Sequence, residues 1–477
     1  MEFETIIGLE VHAQLSTQTK MFCNCSTEFG QEPNRNTCPV CLALPGALPT
    51  INQVAVQYAI LLGLATHCTI RKDSQFARKN YFYPDLPKAY QISQFDRPIC
   101  ENGWIDIDVD GRNKRIGITR IHMEEDAGKL VHEGDDPDAS YVDLNRAGTP
   151  LVEIVSEPDI RSAAEAKAYM EKIHAIVTYL NICHGNMEQG NLRCDANVSI
   201  RPFGQEMLGI RTETKNLNSF RNVQAAIEFE IQRQTDCMLD GEPIVQQTRL
   251  WNADNRTSAA MRNKEDSDDY RYFPCPDLPI VYVDDATIES LQASLPELPD
   301  ARQQRFQSEL GLGEKDAVHL ASDRAMADFF ETVVSQGIDP KPAANWMLSD
   351  FARLLNENRV SISQCKISPY HLSGMIRLIQ DGTISGKIAK TVFEEIFATG
   401  KTAEQVVEEK GLKQVSDEGA IREICQQVLD SNPSQVEEFR SGKEKVLGFF
   451  VGQVMKASKG KANPQLVNKT LKELLSS

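Results

Sequence analysis

The sequence predicts an α+β protein whose first part contains a largely antiparallel sheet and whose later part is helical. Segments with strand character follow one another up to about residue 290, and few helices separate them. They read IDIDVDG, RIGITRIHM, YVDLN, PLVEIVS, LRCDANVSI and PIVYVDD. Few and unevenly spaced helices favour an antiparallel sheet over a doubly wound parallel one. After the prolines of SLPELPDARQQR, at 294–305, the strand pattern gives way to amphipathic helices.

Helices are predicted to interrupt the strand-rich part and to make up the remainder. The early ones include Val54–Thr66 and Ser162–Asn181. The later ones read AMADFFETVVSQG, PAANWMLSDFARLLNE, SPYHLSGMIRLIQDG and KIAKTVFEEIFATG, and several of them end at a glycine. A second change near 400–416 leads into a last helical region. The sequence therefore predicts a sheet-based domain followed by two helical ones.

The composition is that of an ordinary globular protein. The 477 residues are 25% charged and 41% hydrophobic, and a chain of this length exceeds one core. The net charge of −17 predicts weak non-specific attraction to polyanions, although a local basic patch would still allow nucleic-acid binding. We find neither a basic, then apolar, secretory signal nor an apolar run long enough to span a bilayer. We therefore expect a cytoplasmic protein.

The first predicted strand, GLEVHAQL at 8–15, carries an unusual polar face. Its apolar residues alternate with Glu10 and His12, which is the period of a strand with one buried face. Side chains two positions apart lie about 7 Å from each other along a strand. Glu10 and His12 are therefore close enough to bind one ion, and the pattern allows either a solvated face or the floor of a site.

Three further predicted strands carry carboxylates on a polar face. RIHMEEDAGK places His122, Glu124 and Asp126 on one parity and Glu125 on the other. PLVEIVSEPD contributes Glu153, and LRCDANVSI adds a further carboxylate. Carboxylates with a histidine and no thiolate are typical ligands of Mg²⁺ or Mn²⁺, ions that usually hold phosphates. Cations that would surround ATP are Lys79, Lys88, Arg193 and Lys215. The pattern indicates a phosphoryl-transfer site built on a sheet, with a solvated face as the alternative.

Four cysteines have the spacing of a zinc knuckle. Cys23-x-Cys25 is followed, after twelve residues, by Cys38-Pro-Val-Cys41. Two close pairs joined by a short loop bring four thiolates to one tetrahedral ion. A four-cysteine site leaves no coordination position for a substrate, so we expect a structural zinc ion at 23–41.

The segment RKNYFYPDLPKAYQISQF, at 78–95, concentrates aromatic and polar residues. It contains Lys79, Tyr81, Lys88 and Tyr90. These side chains suit a wall that binds a planar base or guides a small polar molecule, and core packing with turns is the alternative.

Long motifs in this sequence resemble a known family. VDLNRAGTPLVEIVSEPD at 142–159, RKNYFYPDLPKAYQISQ and SDDYRYFPCPDLP at 267–279 resemble the B subunit of the aspartyl/glutamyl-tRNA(Asn/Gln) amidotransferase. The resemblance extends from GLEVHAQL to KASKGKANPQLVN, which is essentially the whole chain. It implies a cradle domain related in fold to glutamine synthetase at 1–293, a helical domain at 294–405 and a tail domain at 406–477.

The resemblance also implies a reaction and partners. ATP phosphorylates the side-chain carboxylate of Glu-tRNA(Gln) or Asp-tRNA(Asn), and ammonia then displaces the phosphate. This is the work of a glutamine-hydrolysing aminoacyl-tRNA amidotransferase, a carbon–nitrogen ligase. The ammonia comes from the A subunit, a glutaminase of the amidase type, and a small C subunit is the third member of the heterotrimer. This sequence shows no glutaminase pattern of its own. The tail, with eight basic residues and one acidic residue between 440 and 472, is expected to contact tRNA phosphates.

The resemblance also implies site residues, at the positions of this sequence that match the family's motifs. The metal ligands are expected to be His12, Glu125 and Glu153, with Glu10 nearby or on a second ion. Strand parity alone leaves Glu124 and Glu125 open, and Glu125 is also expected to gate the ammonia path. Glu125, Lys79 and Lys88 are expected to be catalytic. The nucleotide contacts are expected to be Arg193, Lys215, Tyr81 and Tyr90, although the two tyrosines also suit the ammonia path.

Three alternatives stay open at this point. The first is the archaeal-type relative that acts only on Glu-tRNA(Gln), which normally carries a synthetase-like insertion before the tail, for which this sequence has no room. A tRNA-binding scaffold with a zinc knuckle and no chemistry is the second alternative, and a metal-dependent phosphohydrolase is the third. The sequence leaves open which misacylated tRNA is the substrate and whether the ion is Mg²⁺ or Mn²⁺.

Overall fold

A computed structural model describes residues 2–132, 139–261, 270–413, 418–441, 443–458 and 462–476. The chain forms two compact units, Met1–Leu298 and Pro299–Ser477. The boundary between them lies within the proline-containing segment that the sequence indicated. The division into three domains, with cuts at 293 and 405, stays a prediction.

In its described residues, the first unit contains the strands and four helices. The strands are β1 Phe3–Gln14, β2 Thr69–Ile70, β3 Asp73–Ser74, β4 Ala77–Asn80, β5 Tyr90–Ser93, β6 Cys100–Val109, β7 Arg112–Glu125, β8 Lys129–Val131, β9 Tyr141–Asp143, β10 Pro150–Ser156, β11 Leu192–Pro202, β12 Thr212–Leu217, β13 Thr248–Asn252, β14 Thr257–Ala260, β15 Phe273–Pro274 and β16 Val281–Tyr282. The helices are α1 Gln53–Ala65, α2 Ala163–Tyr179, α3 Phe220–Asp240 and α4 Asp285–Ser294.

The main sheet of the described residues has nine strands, in the order β14-β13-β12-β11-β1-β10-β7-β6-β2. Its pairings are antiparallel except for β12 with β13. This confirms the predicted α+β fold with a largely antiparallel sheet. A small sheet, in the order β15-β4-β5, lies beside β7.

One face of the main sheet forms the core of the first unit. Along β1 the apolar side chains Ile7, Leu9 and Val11 are fully buried, while the alternate positions are partly open. Helices α1, α2 and α3 pack against the sheet, and each begins at a polar cap: Asn52, Ser162 or Ser219. Because the helices cover one face, the polar side chains of β1 are left on the other.

A buried polar network fixes α3 to the sheet. The carboxylate of Glu230 is fully buried and accepts hydrogen bonds from Thr212, Arg233 and Gln234. The Gln234 side chain also donates to the backbone carbonyl of Val198 at 3.0 Å. Since Thr212 begins β12 and Val198 lies in β11, the network sets the position of the strands that carry the polar face.

The second unit is helical in its described part, as the sequence predicts. Its helices are α5 Pro299–Ser308, α6 Glu314–Ala321, α7 Arg324–Ser335, α8 Pro340–Trp346, α9 Ala352–Asn358, α10 Pro369–Gln380, α11 Gly386–Thr399, α12 Ala403–Glu409, α13 Glu418–Asp430, α14 Pro433–Arg440, α15 Leu447–Ala457 and α16 Pro464–Ser476. A π-helical turn, Met347–Phe351, joins α8 to α9, and a 3₁₀ turn, Glu444–Val446, precedes α15.

Buried side chains of the second unit form two separate hydrophobic clusters. One extends from Phe306 to Val407 and the other from Ile421 to Leu475. The separation of a helical domain from a tail domain within this unit stays a prediction. In the described residues, no helix is both long enough and apolar enough to cross a membrane.

The Glu230 network generates a stability prediction. Replacing Glu230 by Gln removes a buried charge that faces Arg233, so we expect the free energy of unfolding to fall by about 2 to 3 kcal/mol. The matched control is Glu228→Gln on the same helix, where an exposed carboxylate should change the free energy by less than about 0.5 kcal/mol. Hydrogen exchange in urea, followed on peptides from α3, measures both.

The same network predicts a pH dependence. Burial raises the pKa of Glu230, but the hydrogen bonds from Arg233, Thr212 and Gln234 lower it more, so the pKa lies below its ordinary value. The stabilisation is therefore complete above the unfolded-state pKa of about 4.3 and is lost as the pH falls through the folded-state pKa. An equal effect of Glu230→Gln at pH 7 and in strong acid would contradict this account.

Candidate active site

The polar face of the main sheet is assembled by the register of β1 with its two neighbours. His12 lies opposite Glu153 of β10 on one side and opposite Arg193 of β11 on the other. Glu153 in turn lies opposite His122 of β7. Directly opposed residues project from the same face of a sheet, so these four side chains share one surface.

Three side chains on this surface converge as candidate metal ligands. His12, Glu124 and Glu153 each place a donor atom within 4.8 Å of the other two. The distance from His12 Nε2 to Glu153 Oε2 is 3.3 Å, and His122 Nε2 lies 2.9 Å from Glu124 Oε1. We call His12, Glu124 and Glu153 the acidic trio.

The small sheet holds Glu124 in place. Gln91 Nε2 donates to Glu124 Oε2 at 2.9 Å, and Ser93 Oγ donates to Glu124 Oε1 at the same distance. Both donors lie on β5, beside β7. Glu124 is only 3% exposed, so water does little to stabilise its charge. The hydrogen bonds from Gln91 and Ser93, together with His122, stabilise the carboxylate instead.

The acidic trio is charged despite its burial. Burial raises the pKa of Glu153, but His122 and His12 more than offset it and hold that pKa well below its usual range. The pKa of Glu124 is likewise lowered, because His122 outweighs burial and the neighbouring Glu153. Burial lowers the pKa of His12, yet its hydrogen bond to Glu153 raises it above the ordinary value. Two carboxylates and an imidazole nitrogen fit Mg²⁺ or Mn²⁺.

The structure does not bring Glu125 into this group. Its carboxylate accepts hydrogen bonds from the ammonium of Lys88 and from the backbone N–H of Ile92. Adjacent residues of a strand point to opposite faces, so Glu124 and Glu125 cannot both face His12. The predicted set of His12, Glu125 and Glu153 is therefore not the set that converges; Glu124 takes the place of Glu125.

Glu10 lies in a second group, separate from the acidic trio. Its carboxylate converges with those of Asp195 and Glu213, again with donor atoms within 4.8 Å. Lys215 Nζ bridges this group, at 2.8 Å from Asp195 Oδ2 and 2.9 Å from Glu213 Oε1. Burial raises the pKa of Glu10, and the neighbouring carboxylates raise it further. Lys215 already supplies a positive charge to this group.

Arg193 contacts a buried carboxylate beside the trio. Its Nη2 lies 3.1 Å from Asp126 Oδ1, and Gln14 Nε2 donates to Asp126 Oδ2 at 2.6 Å. Burial raises the pKa of Asp126, but Arg193 and Arg146 lower it below its ordinary value. Arg193 is thus fixed next to His12 on the polar face, where the sequence predicts a nucleotide contact.

Lys88, Tyr90 and Glu125 lie together at a cavity of about 260 Å³. Lys88 contacts the ring of Tyr90 as well as the Glu125 carboxylate. Cys23 and Cys41 of the knuckle line the same cavity. The predicted site residues thus form separate groups: this one at the cavity, the trio beside Arg193, and Glu10 with Lys215.

The four knuckle cysteines converge, with their Sγ atoms within 4.8 Å of one another. The Cys38 backbone N–H donates to Cys41 Sγ at 3.1 Å, a bond that stabilises thiolate character. A hydrogen bond from Cys23 lowers the pKa of Cys41 to about 4, and burial raises that of Cys25 to about 11. A converging four-sulfur set with one thiolate already favoured fits Zn²⁺.

Lys79 occupies a place on β4 next to the trio. Its ammonium lies 4.6 Å from the centre of the Tyr270 ring and 5.9 Å from that of Tyr81. Tyr270 was not predicted as a site residue, although it lies in the SDDYRYFPCPDLP motif. Strand parity leaves Glu124 and Glu125 open, and the parity that Glu124 shares with His122 is the sequence signal that points to Glu124.

Comparisons with known proteins agree with this architecture. A family model described as the GatB/GatE catalytic domain matches residues 5–289, and a model described as the GatB domain matches residues 328–475. Together they define a GatB-type protein, with the first match covering the unit that carries the acidic trio.

Full-length relatives narrow the assignment. The aspartyl/glutamyl-tRNA(Asn/Gln) amidotransferase B subunit of Syntrophotalea carbinolica is 58% identical over 473 residues, covering 99% of this chain and 98% of the relative. The protein of that name from Geobacter sulfurreducens is 58% identical over 478 residues, with 100% of both chains covered. The one from Brevibacillus brevis is 56% identical over 476 residues, covering 100% and 99%. The chain belongs to the family of aspartyl/glutamyl-tRNA(Asn/Gln) amidotransferase B subunits, which confirms the resemblance.

The geometry predicts which glutamate binds the metal. Glu124→Gln removes one charged oxygen from the trio, and we expect Mn²⁺ affinity to fall at least about tenfold. Glu125→Gln, the matched control one residue away, should change it by less than about threefold. Calorimetric titration of the purified chain with MnCl₂ measures both, and a larger loss in Glu125→Gln would restore the set predicted from the resemblance.

Proposed function

We propose that this chain acts as the B subunit of a heterotrimeric aminoacyl-tRNA amidotransferase. Its reaction uses ATP to phosphorylate the side-chain carboxylate of Glu-tRNA(Gln) or Asp-tRNA(Asn), and ammonia then converts the acyl phosphate to an amide. The acidic trio on the polar face, in a chain that matches B subunits over its whole length, is the observation that carries this proposal.

The reaction requires two things of the protein: a site that phosphorylates the carboxylate and a sheltered route for ammonia. A carboxylate resists attack by ammonia because hydroxide is a poor leaving group, so the oxygen must first be phosphorylated. Ammonia is almost entirely protonated in water at neutral pH, so it must travel by a sheltered route. The polar face of the sheet suits the phosphorylation, and the cavity at Lys88 suits the ammonia route.

The acidic trio is the proposed site of the divalent cation. His12, Glu124 and Glu153 would hold Mg²⁺ or Mn²⁺, which neutralises charge on the phosphates of ATP. His122 stabilises the two carboxylates, while Gln91 and Ser93 orient Glu124. Positioning of this kind, rather than covalent chemistry, dominates catalysis of phosphoryl transfer.

Cations on the same face are the proposed contacts of the nucleotide and the acceptor. Arg193 lies in register with His12, and Asp126 holds its guanidinium in place. Lys215 lies on β12, two strands from β1, where Asp195 and Glu213 hold it. Arg193, Lys215 and Tyr81 are retained as nucleotide contacts; Tyr90 is better placed at the ammonia route, because it contacts Lys88.

The cavity beside the knuckle is the proposed arrival point of ammonia. Lys88 and Glu125 form an ion pair in its wall, and both are nearly buried. Opening this pair would connect the cavity with the opposite face of β7, where Glu124 lies. Glu125 is therefore proposed as a gate rather than as a metal ligand, with the ammonia supplied by the glutaminase (A) subunit.

We also propose roles for the knuckle and the tail, a third subunit and a cellular location. The knuckle would bind a structural Zn²⁺, and the tail would contact tRNA phosphates through basic residues such as Arg440 and Lys472. Two of the basic residues counted in the tail, Lys459 and Lys461, lie outside the described residues. The small C subunit is the proposed third component, and the cytoplasm is the proposed location.

The alternatives fit less well. A scaffold without chemistry gives no reason for buried carboxylates to converge with histidines at a net cost in desolvation. The archaeal-type relative is disfavoured because B subunits match this chain end to end. A phosphohydrolase acting on free phosphate esters would turn over without tRNA, so the dependence of phosphate release on aminoacyl-tRNA separates it.

The proposal predicts different defects for neighbouring glutamates. In the reconstituted heterotrimer, Glu124→Gln should slow ATP-dependent phosphorylation of Glu-tRNA by at least about a hundredfold, because metal-assisted charge neutralisation is lost. Glu125→Gln should retain phosphorylation but lose amidation supported by glutamine. Release of ammonia from glutamine, the activity of the glutaminase partner, serves as the control for assembly.

The measurement combines each misacylated tRNA, ATP and glutamine, with ammonium chloride as a second nitrogen source. Phosphate release and amide formation are followed separately. ATP turnover that is independent of aminoacyl-tRNA would contradict the proposal and favour the phosphohydrolase. Full phosphorylation by Glu124→Gln would move the site away from the trio.

A further inference from the structure

Lys79 differs from the other cations of the site. Lys88 pairs with Glu125, Arg193 with Asp126, and Lys215 with Asp195. Among the residues that the structure describes, the ammonium of Lys79 contacts aromatic rings and makes no hydrogen bond or ion pair. Its strand neighbour Gln91 donates to Glu124, which places Lys79 next to the acidic trio.

Two tyrosine rings, Tyr81 and Tyr270, lie against this ammonium, and a third tyrosine, Tyr272, packs against Tyr270. The rings of Tyr81 and Tyr270 meet edge to face at 6.1 Å, and Tyr270 meets Tyr272 in the same way at 6.1 Å. Phe95 stacks on Tyr272 at 4.2 Å and closes the outer side. We call Tyr81, Tyr270 and Tyr272 the tyrosine cage.

The backbone fixes the cage to the strand that carries Lys79. Asn80, the next residue, donates its backbone N–H to the Tyr270 carbonyl at 3.0 Å. Its side-chain amide donates to the same carbonyl at 3.1 Å and to that of Arg271 at 2.9 Å. Phe273 then pairs with Arg78 on β4. The position of Tyr270 over Lys79 is thus set by several hydrogen bonds.

The cage acts through its ring faces. Burial raises the pKa of Tyr81 to about 12, so its phenol is neutral near pH 7. Burial lowers the pKa of Lys79, but Glu124, Tyr272 and Tyr270 raise it by more. The pKa of Lys79 therefore lies above its ordinary value. A charged ammonium over neutral rings is a cation–π arrangement, which orients the charge without neutralising it.

We propose that the tyrosine cage positions Lys79 to bind the terminal phosphoryl group of ATP opposite the acidic trio. Lys79 would be the contact to the phosphoryl oxygens, and Tyr270 would be a positioning residue that acts through Lys79. A paired lysine must first leave its carboxylate before it binds phosphate, whereas the rings leave the charge available. This inference rests on the proposed function, because it assigns the cage to the phosphoryl-transfer site.

Binding of inorganic triphosphate to the assembled heterotrimer, measured by calorimetry in MgCl₂, tests the cage directly. Lys79→Met should weaken binding by at least about tenfold, because the phosphate contact itself is lost. Tyr270→Leu should weaken it by about tenfold, the size of a partly desolvated cation–π contact. Tyr270→Phe keeps the ring and should bind within about twofold of the wild type. The control is Tyr282→Leu, since Tyr282 is 78% exposed on β16.

Equal losses in Tyr270→Phe and Tyr270→Leu would overturn the proposal, because the hydroxyl rather than the ring would then matter. Unchanged binding by Tyr270→Leu would overturn it as well. If Tyr270→Leu lowers the melting temperature, Tyr81→Leu is tested in its place. We expect Tyr81→Leu also to weaken triphosphate binding, but by a smaller factor.

Turnover separates this inference from the proposed function. With Glu-tRNA(Gln) and saturating ATP, Tyr270→Leu should lower kcat for phosphorylation while glutamine hydrolysis stays unchanged. A heterotrimer that binds triphosphate with the predicted ordering but never phosphorylates aminoacyl-tRNA would contradict the proposed function and leave the cage as a phosphate site.

Discussion

The pairing of β1 between β10 and β11 is the constraint on which the site depends. It places His12 opposite both Glu153 and Arg193, so one strand joins a carboxylate to a guanidinium. A shift by one residue would turn His12 towards the helices and bring Val11 to the polar face. The apolar side chains of β1 therefore fix the chemistry of the opposite face, because their burial against α2 fixes the register.

Burial and charge oppose each other throughout this surface, and the protein resolves the conflict with specific partners. Glu124 has His122, Gln91 and Ser93, and Asp126 has Arg193 and Gln14. Each ionised group gains hydrogen bonds that offset its desolvation. The result is a rigid array of charges, which is what electrostatic stabilisation of phosphoryl transfer requires.

The alternation of side chains separates two functions across a single strand. Glu124 and Glu125 are neighbours in sequence, yet one faces the trio and the other faces Lys88 and the cavity. A strand thus provides a thin partition between the place where an acyl phosphate would form and the route by which ammonia would arrive. In the proposed mechanism, the partition would keep the two reactants apart until the ion pair opens.

The sequence predicted the sheet, the polar face of its first strand and the knuckle, because these follow from local spacing. It did not identify Glu124 as the partner of His12. Parity left Glu124 and Glu125 open, and the resemblance favoured the residue that the structure places elsewhere. The deciding contacts come from Gln91 and Ser93, on a strand of another sheet. Tyr270 was missed for the same reason: 190 residues separate it from Asn80, to which it is bonded.

The location of a bound metal ion tests the central claim most directly. Crystals of the heterotrimer soaked in MnCl₂ would show the ion by its anomalous scattering. The account predicts a peak within about 2.5 Å of donor atoms of His12, Glu124 and Glu153. A peak bound by Glu125, with Glu124 turned away from it, would contradict the account.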